Sequence, residues 1–345
     1  MRKTILIPGG AGYVGSHTAY LLAKKGHAVI IVDKRIHNQK FSPSWATIIQ
    51  EDFSNKTILD QIFTTHKIDA VMHFAAFIEV GESVKHPKRF YHNNVVKTLT
   101  LLDRMLAHDV KNFIFSSSCA VYGEPVTVPM DESNPFRPLS PYGKNKLIVE
   151  FALQDYATAY NLDSVSLRYF NAAGALPEAG LGEQHDPETH IIPLMIRAIK
   201  NQTPFKIFGT DYDTPDGSCI RDYIHVLDIA QAHVLALEHL DHKHSESSKA
   251  SAFNLGSGNG FSVKEMIGAM EKICDKKMVI KHENRRPGDP AILLANPAKA
   301  SSVLGWKPTH SDLETILRSA LTFAETFSPD PVYSYSTSSA DRAHR

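Results

Sequence analysis

Thr4-Ile5-Leu6-Ile7-Pro8-Gly9-Gly10-Ala11-Gly12-Tyr13-Val14-Gly15, followed closely by Ala28-Val29-Ile30-Ile31-Val32-Asp33, decides the fold. Thr4–Pro8 is a short apolar run of strand length. The glycines at 9, 12 and 15 lead into a helical pattern over Tyr13–Lys25, and a second strand ends on Asp33. Glycine lets the backbone turn tightly and approach a pyrophosphate, which then meets amide N–H groups and the positive end of the helix. The plain alternative is a glycine-rich turn that only closes a strand onto a helix. Asp33 tips the balance. A carboxylate there accepts both ribose hydroxyls of NAD and repels a 2′-phosphate, although Lys34 and Arg35 soften that preference. Asp52 and Phe53, just past the next weak strand, are candidates for the edge and face of the adenine.

Working outward, strands expected at Ala46–Ile49, Ala70–His73, Phe113–Ser116 and Ser164–Arg168 alternate with helices at Asn55–His66, Pro87–Leu106 and Tyr142–Tyr160. Continuous apolar strands alternating with helices predict an α/β, Rossmann-type doubly wound parallel sheet covered on both faces. After Asn171 the pattern changes. Gly174–Glu188 reads as a loop, and shorter mixed elements follow: helices at Ile191–Lys200, Val226–Leu240, Ser262–Cys274 and Leu313–Thr326, and strands at Phe205–Phe208 and Phe253–Leu255. We expect an NAD-binding unit over 1–172, with segments near 221–258 returning to it. A smaller mixed α/β unit binding a nucleotide sugar is expected over 173–327, and a disordered tail over 328–345.

The whole chain fits this scheme. Its 345 residues exceed one ordinary core, and 43% apolar content excludes wholesale disorder. Thirty-seven basic and 37 acidic residues balance, so nothing steers the protein to nucleic acid or an anionic membrane. No apolar run approaches the ~18 residues of a membrane span. The run after Met1-Arg2-Lys3 stops at Gly9, short of a secretory leader. Three scattered cysteines make no disulfide framework. A cytoplasmic location is expected. His239, His242 and His244 read as solvated linker residues, and no metal is assigned.

A second grouping carries chemistry. Ser116-Ser117-Ser118 ends a strand at the carboxyl edge, where open parallel sheets bind ligands. Tyr142 and Lys146 open the next helix at i and i+4 and so share a face. A phenol of pKa ~10 is a poor base at neutral pH. A nearby ammonium favours the phenolate, and an oxidised nicotinamide favours it further. Ser118 can hydrogen-bond the same substrate hydroxyl. A Tyr-x-x-x-Lys pair arises often by chance; its place downstream of the glycines and Asp33 makes it persuasive.

Here the chain resembles the extended short-chain dehydrogenases/reductases and, within them, the UDP-hexose 4-epimerases. The resemblance is carried by GGAGYVGSH, HFAAFIEVGES, NNVVKTL, NFIFSSSCAVYGEP, SPYGKNK, LRYFNAAGA, GSCIRDYIHV, FNLGSG and RRPGDPA, from Gly9 to about Trp306. It implies an NAD-dependent 4-epimerase that oxidises the sugar at C4, lets the 4-keto sugar rotate, and reduces it on the opposite face. UDP-glucose and UDP-galactose are the implied pair. Tyr142 would act as base, Lys146 would bridge the cofactor ribose, and Ser118 would hold the reacting oxygen. By the same resemblance Tyr13, Val14, Phe74, Ala75, Ala76, Asn93 and Phe170 join Gly9, Gly12, Gly15, Asp33, Asp52 and Phe53 around NAD. Asn171, His190, Phe208, Arg221, Tyr223, Arg286, Asp289 and Leu293 would contact the UDP-sugar, and two helices, Pro87–Leu106 and Tyr142–Tyr160, would form a homodimer.

Several details bear on specificity. Similar dehydratases carry a Thr-Asp-Glu run where this chain has Ser118-Cys119-Ala120. Neither Cys119 nor Ala120 can move protons as an acid pair would, so dehydration is disfavoured. Ile78 stands where many epimerases place a lysine against the cofactor. Leu293 stands at the position that governs space around the sugar 2-substituent. Two enzymatic rivals follow, an epimerase for UDP-N-acetylhexosamine or one for a UDP-pentose. A third, a non-catalytic NAD-sensing protein, need not keep Ser118, Tyr142 and Lys146 together.

Overall fold

A computed structural model describes residues 1–34, 43–185, 187–242, 250–286 and 288–327. Readings made on Arg35, His244, most of the polar linker and the tail lie outside the described residues. In chain order the first part runs β1 (Thr4–Pro8), α1 (Tyr13–Lys24), β2 (Ala28–Val32), β3 (Thr47–Ile49), α2 (Lys56–Thr65), β4 (Ala70–His73), α3 (Val80–Lys85), α4 (Pro87–Tyr91), α5 (Lys97–Ala107), β5 (Asn112–Ser118), α6 (Pro141–Tyr160) and β6 (Asp163–Tyr169). The remainder runs β7 (Asn171–Ala173), α7 (Ile191–Asn201), β8 (Phe205–Phe208), β9 (Ile220–His225), α8 (Val226–His242), β10 (Ala250–Leu255), β11 (Gly260–Ser262), α9 (Val263–Cys274), β12 (Ile280–Glu283), β13 (Ile292–Leu293), α10 (Ala298–Leu304) and α11 (Leu313–Phe327).

Seven strands form one parallel sheet in the order β10-β6-β5-β4-β1-β2-β3. Side chains alternate across its faces. Ile5 and Ile7 enter one core with Leu22 and Leu237, so α1 and α8 cover that face. Leu6 points the other way, into a core with Leu59, Leu102 and Val149, so α2, α5 and α6 cover the second face. The chain reverses direction across the sheet between β1 and β4. That switch leaves a crevice at the carboxyl ends of the strands.

Local chemistry sets the helix that matters most. Pro141 stands in the first turn of α6, and the Ser140 hydroxyl accepts from Gly143 N at 3.1 Å. Asn161, left-handed at φ 57°, ends the helix. The helix expected over Pro87–Leu106 is interrupted by a π-turn at His92–Val96. A buried ion pair fixes α6 to the sheet. Arg168 on β6 grips Glu150 on α6 through Nε and Nη2, and Ser117 Oγ donates to the same carboxylate. Arg168 Nη1 donates to Tyr122 Oη at 2.7 Å, and Tyr122 donates on to Asn254 of β10.

The later elements make a four-stranded sheet of β7, β9, β11 and β13 and a parallel pair β8–β12. They share a core of Ile192, Met195, Met266 and Leu317. Among the described residues no helix is long and apolar enough to cross a membrane.

Candidate active site

The glycine turn is a close approach of backbones. Gly9 has φ +79°, and a Cβ there would lie 2.4 Å from Ala75 N. A Cβ on Gly15 would lie 2.4 Å from Gly9 O. Phe74 N and Ala75 N both donate to Pro8 O, which pins the loop after β4 against the turn, with Ala76 next in that loop. Gly12 opens α1 without a side-chain cap, so the first amides of the helix face the crevice bare. Ala11 N donates to Asp33 Oδ2 at 3.1 Å, which holds the acid at the turn. These features fit a dinucleotide: a cradle that only glycine permits, open helix amides, and a carboxylate ending β2. We expect Gly15→Ala to weaken NAD binding by at least about tenfold, since the methyl collides with backbone that cannot yield cheaply. Titration of NAD by quenching of tyrosine and tryptophan fluorescence checks this; unchanged affinity would refute the cradle.

The other residues expected around NAD have mixed placements. Val14 packs on the sheet core, and Tyr13 donates to Gly174 O at 2.6 Å. Asp52 is engaged by Lys97 and by Ser54 Oγ. Phe53 is buried, 5.0 Å from the His73 ring. Asn93 donates to Asn94, and it is Asn94 that pins the loop, accepting from Phe77 N and donating to Phe77 O, each at 2.9 Å. Sequence reading missed Asn94, although it lies inside the NNVVKTL block.

Ser118, Tyr142 and Lys146 meet at the same edge. Ser118 ends β5, and its hydroxyl interacts with the Tyr142 phenol. Tyr142 is positioned by its own amide, which donates to Ser83 Oγ at 3.2 Å. Lys146 is only 4% exposed; its Nζ donates to Ser116 O at 2.7 Å and lies 5.8 Å from the Tyr142 ring centre. The expected lowering of the phenol pKa is not what the protein alone produces. Burial pushes Tyr142 well above its ordinary value, helped by Tyr169 and opposed by the Ser118 hydrogen bond. Burial likewise pushes the Lys146 ammonium down to about 7, against the pull of Glu150. Desolvation outweighs the ammonium here. Beside them, burial pushes the Cys119 thiol up to about 12, so it is no acid–base partner near neutral pH.

The strands after Asn171 bring together a second group. Asn171 Nδ2 donates to Asp222 O at 2.8 Å, and β7 sets Asn171 opposite Tyr223 on β9. Asp289 bridges Arg221 and Arg286, and the Arg286 guanidinium lies 5.2 Å from the Phe208 ring centre. Tyr223 is buried, and desolvation raises its phenol. Leu293, opposite Arg221 in register, packs against the cluster that contains Phe170, Val121 and Tyr122 and is flanked by Cys119. His190 caps α7 with its Nδ1 2.8 Å from Glu183 Oε1 and 3.3 Å from Glu188 Oε1. Burial opposes its charge, yet the two carboxylates raise it to about 10. With His185 these residues form a group of E-x-H-x-x-E-x-H spacing, of which the sequence reading singles out only His190, as a UDP-sugar contact; here His190 faces the two carboxylates.

A dinucleotide cradle and a buried Ser–Tyr–Lys set on one sheet edge define a class: proteins that do redox chemistry on a hydroxyl with a nicotinamide cofactor. The chain belongs to the NAD dependent epimerase/dehydratase family, whose model matches residues 5–256. A UDP-glucose 4-epimerase of Rhizobium meliloti (strain 1021) is 50% identical over 319 residues, covering 92% of this chain and 96% of the relative. The crystal structure of UDP-glucose 4-epimerase from Brucella ovis in complex with NAD matches with TM-score 0.88 and 44% identity, over 92% of this chain and 97% of that one. The UDP-Glc/GlcNAc 4-epimerase of Campylobacter jejuni matches with TM-score 0.80 and 38% identity, over 94% and 99%. The resemblance read from the sequence, the Rossmann-type fold and the epimerase class agree with these relatives.

Proposed function

We propose that the chain interconverts UDP-glucose and UDP-galactose at C4, with Tyr142 as the proton acceptor and donor. One observation carries the proposal: Ser118, Tyr142 and Lys146 converge at a sheet edge whose glycine cradle fits NAD, in a chain matching UDP-glucose 4-epimerases along nearly its full length. NAD held by Gly9, Gly12, Gly15 and Asp33 would supply the hydride acceptor and donor for C4, which lets the sugar be oxidised to the 4-keto form and reduced again on its opposite face. The positive charge of the oxidised ring would add to Lys146 and draw the buried phenol towards phenolate. Tyr142 then removes the 4-hydroxyl proton, and Ser118 holds that oxygen. Arg221 and Arg286 offer donors to the diphosphate, and Phe208 a face to the base. Asp289 holds both guanidinium groups in place. Incubation with UDP-galactose, with UDP-glucose formation followed by a coupled dehydrogenase, tests the assignment; no conversion would overturn it.

The NAD unit is taken as residues 1–172 with the returning α8 and β10, and the sugar-nucleotide unit as 173–327. A homodimer through α4–α5 and α6 is supported by exposed Val96, Ile148 and Phe151 on those segments. A cytoplasmic location is supported by free Cys119, Cys219 and Cys274.

Leu293 favours a second activity on UDP-N-acetylhexosamines. It packs against the same cluster of Val121, Tyr122 and Phe170 as Cys119, the residue after Ser118, and leucine leaves room that a tyrosine ring would fill. We expect slower but measurable turnover of the N-acetylated pair, with roughly a tenfold to hundredfold preference for the simple hexoses. Leu293→Tyr should abolish the former selectively. Comparing kcat/KM for both substrates in both proteins decides; an unchanged ratio would remove Leu293 from the sugar pocket.

A further inference from the structure

We propose that Glu183, His185, Glu188 and His190 form a zinc site at the start of α7. Their four donor atoms, two imidazole nitrogens and two carboxylate oxygens, all lie within 4.8 Å of one another. Individual separations are 3.2 Å for His185 Nδ1–Glu183 Oε1, 3.9 Å for His185 Nδ1–Glu188 Oε2, 2.8 Å for His190 Nδ1–Glu183 Oε1 and 3.3 Å for His190 Nδ1–Glu188 Oε1. Donors placed tetrahedrally at zinc bond lengths are about 3.3–3.5 Å apart; these four contacts bracket that spacing, and the widest pair in the group, at most 4.8 Å, closes around the ion with side-chain shifts on the order of an ångström.

Three further features point to a cation. The carboxylates are not surface acids: the Glu183 and Glu188 side chains are 9% and 4% exposed. Two buried negative charges face two imidazoles, and a proton on one of them leaves the group negative. His185 Nδ1 is sealed from solvent and makes no hydrogen bond, although Glu183 Oε1 is near. A buried ring nitrogen that touches a carboxylate without hydrogen-bond geometry is better satisfied by an ion set between the two. The supporting shell is also in place. Glu188 Oε1 accepts from Thr189 N at 2.7 Å and His190 N at 2.8 Å, which fixes the carboxylate before any ion arrives. Two nitrogens and two oxygens suit zinc and disfavour magnesium, which prefers an all-oxygen shell.

All four positions for ligands are filled by side chains, so the site is structural. The ion would tie the end of the Gly174–Glu188 loop to the start of α7, and the beginning of that loop is held to α1 by the Tyr13 hydroxyl, which donates to Gly174 O. This inference does not rest on the substrate assignment, because its readout is metal binding.

The test uses the full chain, stripped with a chelator and titrated with Zn²⁺ against a chromophoric competitor, without substrate. One equivalent should bind with sub-micromolar affinity. His185→Ala and Glu183→Gln should each weaken that binding by at least about tenfold. His185 is partly exposed, so His185→Ala is expected to keep its circular dichroism and melting curve; it decides the matter if Glu183→Gln fails to fold. Cobalt in place of zinc should give visible absorption of tetrahedral strength, lost in His185→Ala. Binding well below one equivalent, or affinity unchanged in His185→Ala, overturns the site: the group is then a protonated His190 held between two carboxylates.

Discussion

Tyr142→Phe should lower kcat about a thousandfold or more while NAD and UDP affinities stay within about twofold of the parent. The ring remains, so packing at the start of α6 survives, and Tyr142 N still donates to Ser83 Oγ. Only the phenolic oxygen is lost, and with it the group proposed to take the substrate proton. Cys119 cannot take over as base, and Lys146 is already committed elsewhere. The Cys119 thiol is held near 12 by burial, and Lys146 Nζ is engaged by Ser116 O. Steady-state turnover of UDP-galactose, set beside calorimetric titrations of NAD and UDP, separates the two effects. A kcat within tenfold of the parent would remove Tyr142 from the proton step; a parallel collapse of NAD affinity would make its role structural.

Mild acid should unfold the protein. His17, His73, His225 and His233 are buried, and desolvation, the leading cause in each, lowers them to about 4, 3, 4 and 4. Each folded value lies below the unfolded value of 6.5. The unfolded chain therefore binds more protons between them, and stability, fully present above pH 6.5, is lost as pH falls towards 4. Shifts of about 2.5 to 3.5 units correspond to roughly 3–5 kcal/mol per group. Four such groups together match or exceed the about 5–15 kcal/mol that holds a typical domain. The urea midpoint should fall steeply from pH 7 to 5, with net proton uptake on unfolding. A midpoint that is flat across that interval would mean that these histidines titrate normally in the folded state.

The strands and helices of the large sheet were readable because burial on both faces makes them continuous apolar runs, as in Ala28–Val32 and Ala70–His73. The strand β9 was not, because Ile220–His225 carries Arg221, Asp222 and His225 inward. That is tolerable only because partners far along the chain satisfy them: Asp222 accepts from Ser257 N, Gly258 N and Ala295 N. Likewise β13 has two residues and β7 three, too short for a period to show. The Ser118, Tyr142 and Lys146 meeting was visible in spacing and order alone. The direction of the Tyr142 shift was not, since spacing reports a neighbouring ammonium but not how little water surrounds the phenol. The Glu183–His190 group was spelled out by its residue types, yet only the folded loop shows two of its acids turned inward.

The edge strand β10 has a consequence for how the molecule is made. It pairs with β6 over six positions, from Ala250↔Ser164 to Leu255↔Tyr169, and Asn254 closes the network from Arg168 through Tyr122. During synthesis the amino-terminal strands emerge first, with the backbone edge of β6 unpaired until residue 255 has left the ribosome. An open parallel edge of this kind is a template for pairing with another nascent chain. The sheet is therefore expected to close only after β10 is available, so the first half alone should be less stable than the full chain.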